Sequence, residues 1–144
     1  MAYKAQAPAG TEKYLYGFKH FWAIHKGVGW GYDNNYDDVM LVQFLFNNAN
    51  AHLSISENLQ MDGIFGKKTQ KAIRAFQKKY QIHVDGKVNP VDGADRFVTN
   101  TSGQAEVFTN IVFNEAYVYL HPIFYLDIRM DPQLPQPLAH LLSV

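Results

Sequence analysis

The residues able to do bond-making chemistry are few and scattered along the chain. Six histidines occur, at His20, His25, His52, His83, His121 and His140. His20 and His25 have four residues between them, which is not the HExxH arrangement of two ligands one helical turn apart around a glutamate base. No other spacing nominates a third ligand or a base, so no metal and no other cofactor is expected, and the histidines read as isolated surface or core residues. Glu12, Glu57, Glu106 and Glu115 are available for glycoside hydrolysis, which needs two carboxyls held across a cleft, yet none sits in a recognisable catalytic context. No Gly-x-Ser-x-Gly elbow and no phosphate loop occurs, and Gly27-x-Gly29-x-Gly31 neither follows a clear strand nor opens a helix as a dinucleotide fingerprint does. The absence of cysteine removes thiol nucleophiles, thiolate metal sites and disulfides without fixing a compartment. No enzyme is expected. The informative stretch is of another kind: Asp62-Gly63-Ile64-Phe65-Gly66-Lys67-Lys68-Thr69, running into Ala72-Ile73-Arg74-Ala75-Phe76-Gln77.

Bulk properties narrow the class. The 144 residues suit one core with ordered extensions, and a hydrophobic content of 47% argues against wholesale disorder. Aromatics reach 15%, and core filling accounts for most of them. Thirteen basic residues balance thirteen acidic ones, so the broad positive field that nucleic acid requires is missing. The local run Lys67, Lys68, Lys71, Arg74, Lys78 and Lys79 projects at helical spacing away from Ala72, Ile73 and Phe76, as a solvated face does. The apolar stretch 111–128 is interrupted by Asn114, Glu115, His121, Pro122 and Asp127, which argues against a membrane span. Met1 to Leu15 shows no secretory leader pattern.

The elements that position the motif follow from periodicity and turn signals. Residues 1–13 read as a loose lead-in, and 14–32 as aromatic turns punctuated by glycine. Asp37 or Asp38 is expected to cap a first helix carrying Val39, Val42 and Phe46, with Leu41 and Leu45 beside them, that stops near Asn47-Asn48. A polar linker covers 48–58. The second helix runs from Gly66 or Lys67 to about Tyr80, with Ala72, Ile73, Phe76 and Tyr80 on one face. Ile82 and Val84 lead to a second turn, Asp85-Gly86. Thr101 and Gln104 have capping-box spacing, opening a third helix that buries Val107, Phe108, Ile111 and Val112 and ends before His121-Pro122; a strand over 111–120 is the alternative. Four prolines from Pro122 onward suggest an extended tail, with Leu138 to Leu142 docking as a short turn. Val39, Val42, Gln43 and Phe46 echo Ile73, Phe76, Gln77 and Tyr80, as two copies of one helix-plus-turn unit would.

Taken together, residues from Val28 to Ala116 resemble the peptidoglycan-binding-like family. The matching pattern is Gly29, Gly31, Asn34, Asp38-Val39 and Val42-Gln43-Phe44-Leu45-Phe46-Asn47, then Asp62 to Thr69, Phe76-Gln77, and Asp85-Gly86-Lys87-Val88-Asn89-Pro90. The linker from Asn48 to Leu59 is long for the family, and 92–103 intrudes before the third helix. The resemblance implies a mainly α fold: a three-helix peptidoglycan-binding-domain-like bundle over 28–120, with an aromatic N-terminal extension over 1–27 and a Pro-rich C-terminal extension over 121–144. It also implies non-catalytic binding of peptidoglycan or its stem peptides near Asp62, Gly63, Phe65, Gly66, Lys68 and Thr69. Structural roles are expected alongside: Gly63 and Gly66 supplying special backbone angles, Phe65 plugging the core, Thr69 stabilising the first helical turn, and Gln77 bonding a loop backbone. For the basic helix face, the alternative to a solvated surface is attraction to anionic wall polymer or stem-peptide carboxylates. The alternative is reuse of the fold as a protein-interaction or structural component of a secretion or phage-like machine, with another protein of that assembly as partner. The implied location is periplasmic or cell-wall associated without a visible Sec leader, the cytoplasm and non-Sec secretion being the alternatives.

Overall fold

The computed structural model describes residues 1–91 and 108–142. Two short strands, β1 (Tyr3–Gln6) and β2 (His20–Ala23), pair antiparallel with Tyr3 opposite Ala23 and Gln6 opposite His20. Helices α1 (Tyr36–Leu53), α2 (Lys67–Lys79) and α3 (Thr109–Leu120) form the bundle, and a short α4 (Gln136–Leu141) closes the described chain. The mainly helical expectation is borne out.

Helix α1 is the central element, and its apolar stripe Val39, Leu41, Val42, Leu45 and Phe46 is fully buried. It does not stop at Asn47-Asn48. The Asn48 side chain donates back to the Phe44 carbonyl one turn earlier. The Asn47 amide instead clamps the linker, donating to the Leu59 carbonyl and accepting its N–H, each at 2.8 Å. Asn50 accepts from the Ile55 and Ser56 N–H groups. The helix therefore runs to Leu53 and ends at Ser54, which takes a left-handed conformation. These asparagines look like stop signals in sequence because their side chains compete for backbone groups; here the backbone served is that of the linker.

The N-cap is Asn35, without a side-chain bond, so neither Asp37 nor Asp38 caps α1. Both lie in its first turn, where the helix dipole favours a carboxylate, and both hold the chain before them. Asp37 accepts from the Ala2 N–H, and Asp38 accepts from His25 and Lys26 N–H at 2.8 and 2.9 Å. Burial raises the Asp38 pKa against the lowering effect of those two bonds. The N-terminal residues are accordingly an ordered part of the core, with Ala2, Thr11 and Leu15 fully buried, rather than a loose lead-in.

Residues 111–120 are helical despite their β-branched content, because α3 is enclosed on most sides. Ile111, Phe113, Tyr117 and Val118 are buried, and Phe113 stacks on Phe76 of α2 at 4.0 Å between ring centroids. Its buried polar residues face β2: Asn114 accepts the Trp22 N–H at 2.8 Å, while Asn110 and Asn114 both donate to the Trp22 carbonyl. Two side chains one helical turn apart thus serve one strand residue, a geometry that a strand at 111–120 would not give. The expected capping box at Thr101 and Gln104, and Val107, lie outside the described residues.

The tail is folded rather than extended. Two 3-10 turns, Phe124–Leu126 and Ile128–Met130, bring Tyr125 and Ile128 to full burial, and α4 buries Leu138 against α1. The Trp22 indole N–H and the His20 ring both reach the Tyr125 carbonyl, at 3.0 and 2.7 Å. Burial lowers the His20 pKa, partly opposed by that bond. Tyr117 donates to Asp131 at 2.7 Å, and burial followed by that pairing drives the phenol pKa far up.

Candidate functional site

Two polar clamps organise the segment between α1 and α3. In the first, Gln43 of α1 donates to Asp62 Oδ1, the Ile64 carbonyl and Thr69 Oγ1 at 3.1–3.2 Å, and its own oxygen accepts the Gly63 N–H at 2.9 Å. In the second, Gln77 of α2 donates to Asp85 Oδ1, the Lys87 carbonyl and Thr109 Oγ1 at 3.0–3.1 Å, and accepts the Asp85 and Gly86 N–H groups. Each aspartate also accepts the N–H two residues on, from Ile64 and from Lys87. Gly63 and Gly86 both have φ of +72°, which glycine adopts without penalty. The sequence echo between Gln43 and Gln77 is therefore a repeated structural unit: a buried glutamine fastens an Asp-Gly turn and the threonine that opens the next helix. The expectation that Gln77 serves a loop backbone is correct.

Two expected roles change. The Thr69 hydroxyl does not stabilise the first turn of α2; it is buried and bonded to Gln43 across the helix pair. Gly66 is the N-cap of α2 with φ of −139°, an extended conformation open to any residue, and nothing stands where a side chain would project. Gly63 does need to be glycine, since a Cβ there would meet the Tyr36 ring and, at 2.8 Å, the Tyr36 carbonyl.

Beside the first clamp lies a groove of ≈ 820 Å³ between the linker and the N-terminal half of α2. Asp62, Gly66, Lys68 and Thr69, four of the six sequence-nominated residues, line it. Gly63 and Phe65 are not part of its lining: Gly63 is buried beside Tyr36, and Phe65 is half-buried against the core, a partial rather than a complete plug. The groove adds Gln43, Lys67 and Lys71, and the linker residues 56–60 as its other wall. Gln43 was legible through the echo and the lysines through the basic run. The linker carried no signal, because its position depends on Asn47 and Asn50 reaching it from α1.

The electrostatics of the groove favour anions on the α2 side. Lys67, Lys68 and Lys71 are exposed there. No acidic residue occupies the first turn of α2, so the positive end of its dipole is uncompensated. Glu57 and Asp62 supply acceptors on the opposite wall. Among the described residues no group of three or more His, Asp or Glu side chains comes together, and none of the described helices is long and apolar enough to cross a membrane.

The chain order of helix, Asp-Gly turn, amphipathic helix and second Asp-Gly turn, each turn held by the preceding helix's glutamine, coincides with a family match. Residues 35–91 match the model of the putative peptidoglycan binding domain. Over this segment the chain is similar to that family. The matched span runs from the N-cap of α1 to Val91, so it contains the first clamp, the groove lysines and all of the second clamp except Thr109, while α3, β1, β2 and the tail lie outside it. The resemblance read from sequence over Val28 to Ala116 is confirmed for that narrower span. No curated protein and no solved structure shows a significant match to the chain.

Proposed function

We propose that the protein is a non-catalytic binding module for peptidoglycan, working at the cell wall, with the groove beside the first clamp as its contact surface. The module is taken as residues 28–120, with 1–27 and 121–144 as extensions packed on it. The observation that carries this reading is the coincidence of the family-type turn with the groove: the turn that Gln43 fixes forms one edge of a cleft whose other edge carries Lys67, Lys68 and Lys71. Stem-peptide carboxylates match those lysines and the free N–H groups at the start of α2. Gly66, bearing no side chain, leaves room for close approach of a ligand backbone. Asp62 and Thr69 contribute chiefly by holding the groove edge in place, and Lys68 by direct contact.

The test is sedimentation with insoluble peptidoglycan. Wild-type protein is expected in the pellet, and Lys68→Glu with Lys71→Glu in the supernatant, with folding of both verified by circular dichroism. Wild-type protein remaining in the supernatant overturns wall binding. The exposed Ile123, Leu126 and Met130 side chains favour a second reading, reuse as a protein-interaction part of a wall-associated or secretion assembly. Co-purification from native extract, abolished by Ile123→Asp and retained by the lysine variants, is its test.

A further inference from the structure

The opposite end of α2, about 12 Å along the helix from the last groove residue, Ala72, at 1.5 Å rise per residue, carries a second and smaller cleft of ≈ 160 Å³. Four elements meet there: Tyr16 from the β1–β2 connection, His52 from the last turn of α1, Tyr80 from the C-cap of α2, and Glu115 with Tyr119 from α3. The Tyr16 and Tyr119 rings lie 6.2 Å apart and the His52 ring 5.0 Å from Tyr119. Tyr16 and Tyr119 are 57% and 55% exposed, so both side chains are within reach of a ligand from solvent. Tyr16 takes a φ of +54°, a conformation that a bulky residue adopts only where its surroundings enforce it.

Glu115 is half-buried among these rings. Burial pushes its carboxyl pKa up, and no described residue donates a hydrogen bond or an ion pair to it. Lys78 and Lys79, exposed in the last turn of α2, make no ion pair with it. An unpaired carboxylate among aromatic faces is a costly arrangement that a bound cation relieves. The helix ends add to this: α1 and α2 both finish at the cleft, presenting the negative ends of their dipoles.

We propose that this cleft binds an alkylammonium group, held between the Tyr16, Tyr80 and Tyr119 rings and paired with the Glu115 carboxylate. The chemistry is that of a lysine-type amine, which either a partner protein or a wall stem peptide can present. The site is separate from the groove, so it stands or falls independently of the wall-binding reading.

The experiment is a titration of the full-length isotope-labelled chain, followed by amide and aromatic NMR shifts, with n-butylammonium and with the uncharged n-butanol. Saturable shifts are expected around residues 16, 52, 80 and 115–119 with the ammonium and not with the alcohol. Glu115→Gln, which preserves shape, is expected to weaken binding by about tenfold or more, and Tyr119→Leu, at an exposed position, to weaken it as well. Lys68→Glu is expected to bind n-butylammonium as wild type does. A lysine-containing stem tripeptide and Nα-acetyl-lysine amide separate the sources: tighter binding of the tripeptide assigns the site to the wall, and equal binding assigns it to a protein lysine. No saturable shift, equal response to butanol, or unchanged affinity in Glu115→Gln overturns the proposal.

Discussion

Replacing Gly63 and Gly86 by alanine, one at a time, separates backbone strain from packing within the repeated clamp. Both residues have φ of +72°, both follow an aspartate, and both donate an N–H to a buried glutamine. Placing a non-glycine residue in the left-handed region costs about 1–2 kcal/mol. Alanine offsets about 0.4–1 kcal/mol of this by restricting the unfolded chain. At Gly86 the added methyl would meet only the Arg74 and Gln70 side chains, at 3.1 and 3.2 Å, and those flexible stems can move. Gly86→Ala is therefore expected to destabilise by about 0.5–1 kcal/mol. At Gly63 the methyl would meet Tyr36 Cε2 at 2.6 Å and the Tyr36 carbonyl at 2.8 Å. That carbonyl belongs to the first residue of α1, so the turn must shift against the helix, and overpacking adds about 1–3 kcal/mol. Gly63→Ala is expected to destabilise by about 2–4 kcal/mol in all. Urea unfolding with unchanged m-values measures both. A Gly86→Ala midpoint as low as that of Gly63→Ala refutes the assignment of the difference to Tyr36.

The clamps themselves give a second prediction. Gln43→Leu and Gln77→Leu should each cost about 2–4 kcal/mol by stranding the buried Gly63 or Gly86 N–H and the nearby carbonyl; urea midpoints within 0.5 kcal/mol of wild type, roughly the scatter of surface changes, contradict this. Tyr125→Ala should cost about 3–5 kcal/mol, because the tail is part of the core; a near-neutral value in the same assay would mean that the tail does not pack. For Glu115 the folded-state pKa lies above the unfolded one, so the folded state binds the extra proton and stability falls as pH rises from the ordinary glutamate range through the raised value. Glu115→Gln should remove that fall, gaining on wild type above this interval and matching it below. The Tyr80 phenol, pushed up to about 12 by burial and by Glu115 itself, titrates far above this interval.

The local chemistry of the chain determined its helices and turns. Hydrophobic spacing placed α2 to within a residue, because Ala72, Ile73 and Phe76 must share one face while the lysines stay in water. The two Asp-Gly pairs announced their turns, since only glycine takes φ of +72° without strain, and the shared Val-x-x-x-Gln and Ile-x-x-x-Gln spacings hinted at a repeat. What each polar side chain reaches was decided by the tertiary structure alone. Asn47 and Asn50 look like helix stops until the linker folds back onto α1, and Asp37 and Asp38 look like caps until β1 and the β2 loop present N–H groups to them. Residues 111–120 are strand-like in composition and helical in fact, because burial against α1, α2 and Trp22 outweighs a propensity difference of well under 1 kcal/mol per residue. The linker wall of the groove and the cleft around Glu115 join residues tens of positions apart. Sequence spacing encodes neighbours along a helix or turn, whereas such meetings depend on how whole elements pack.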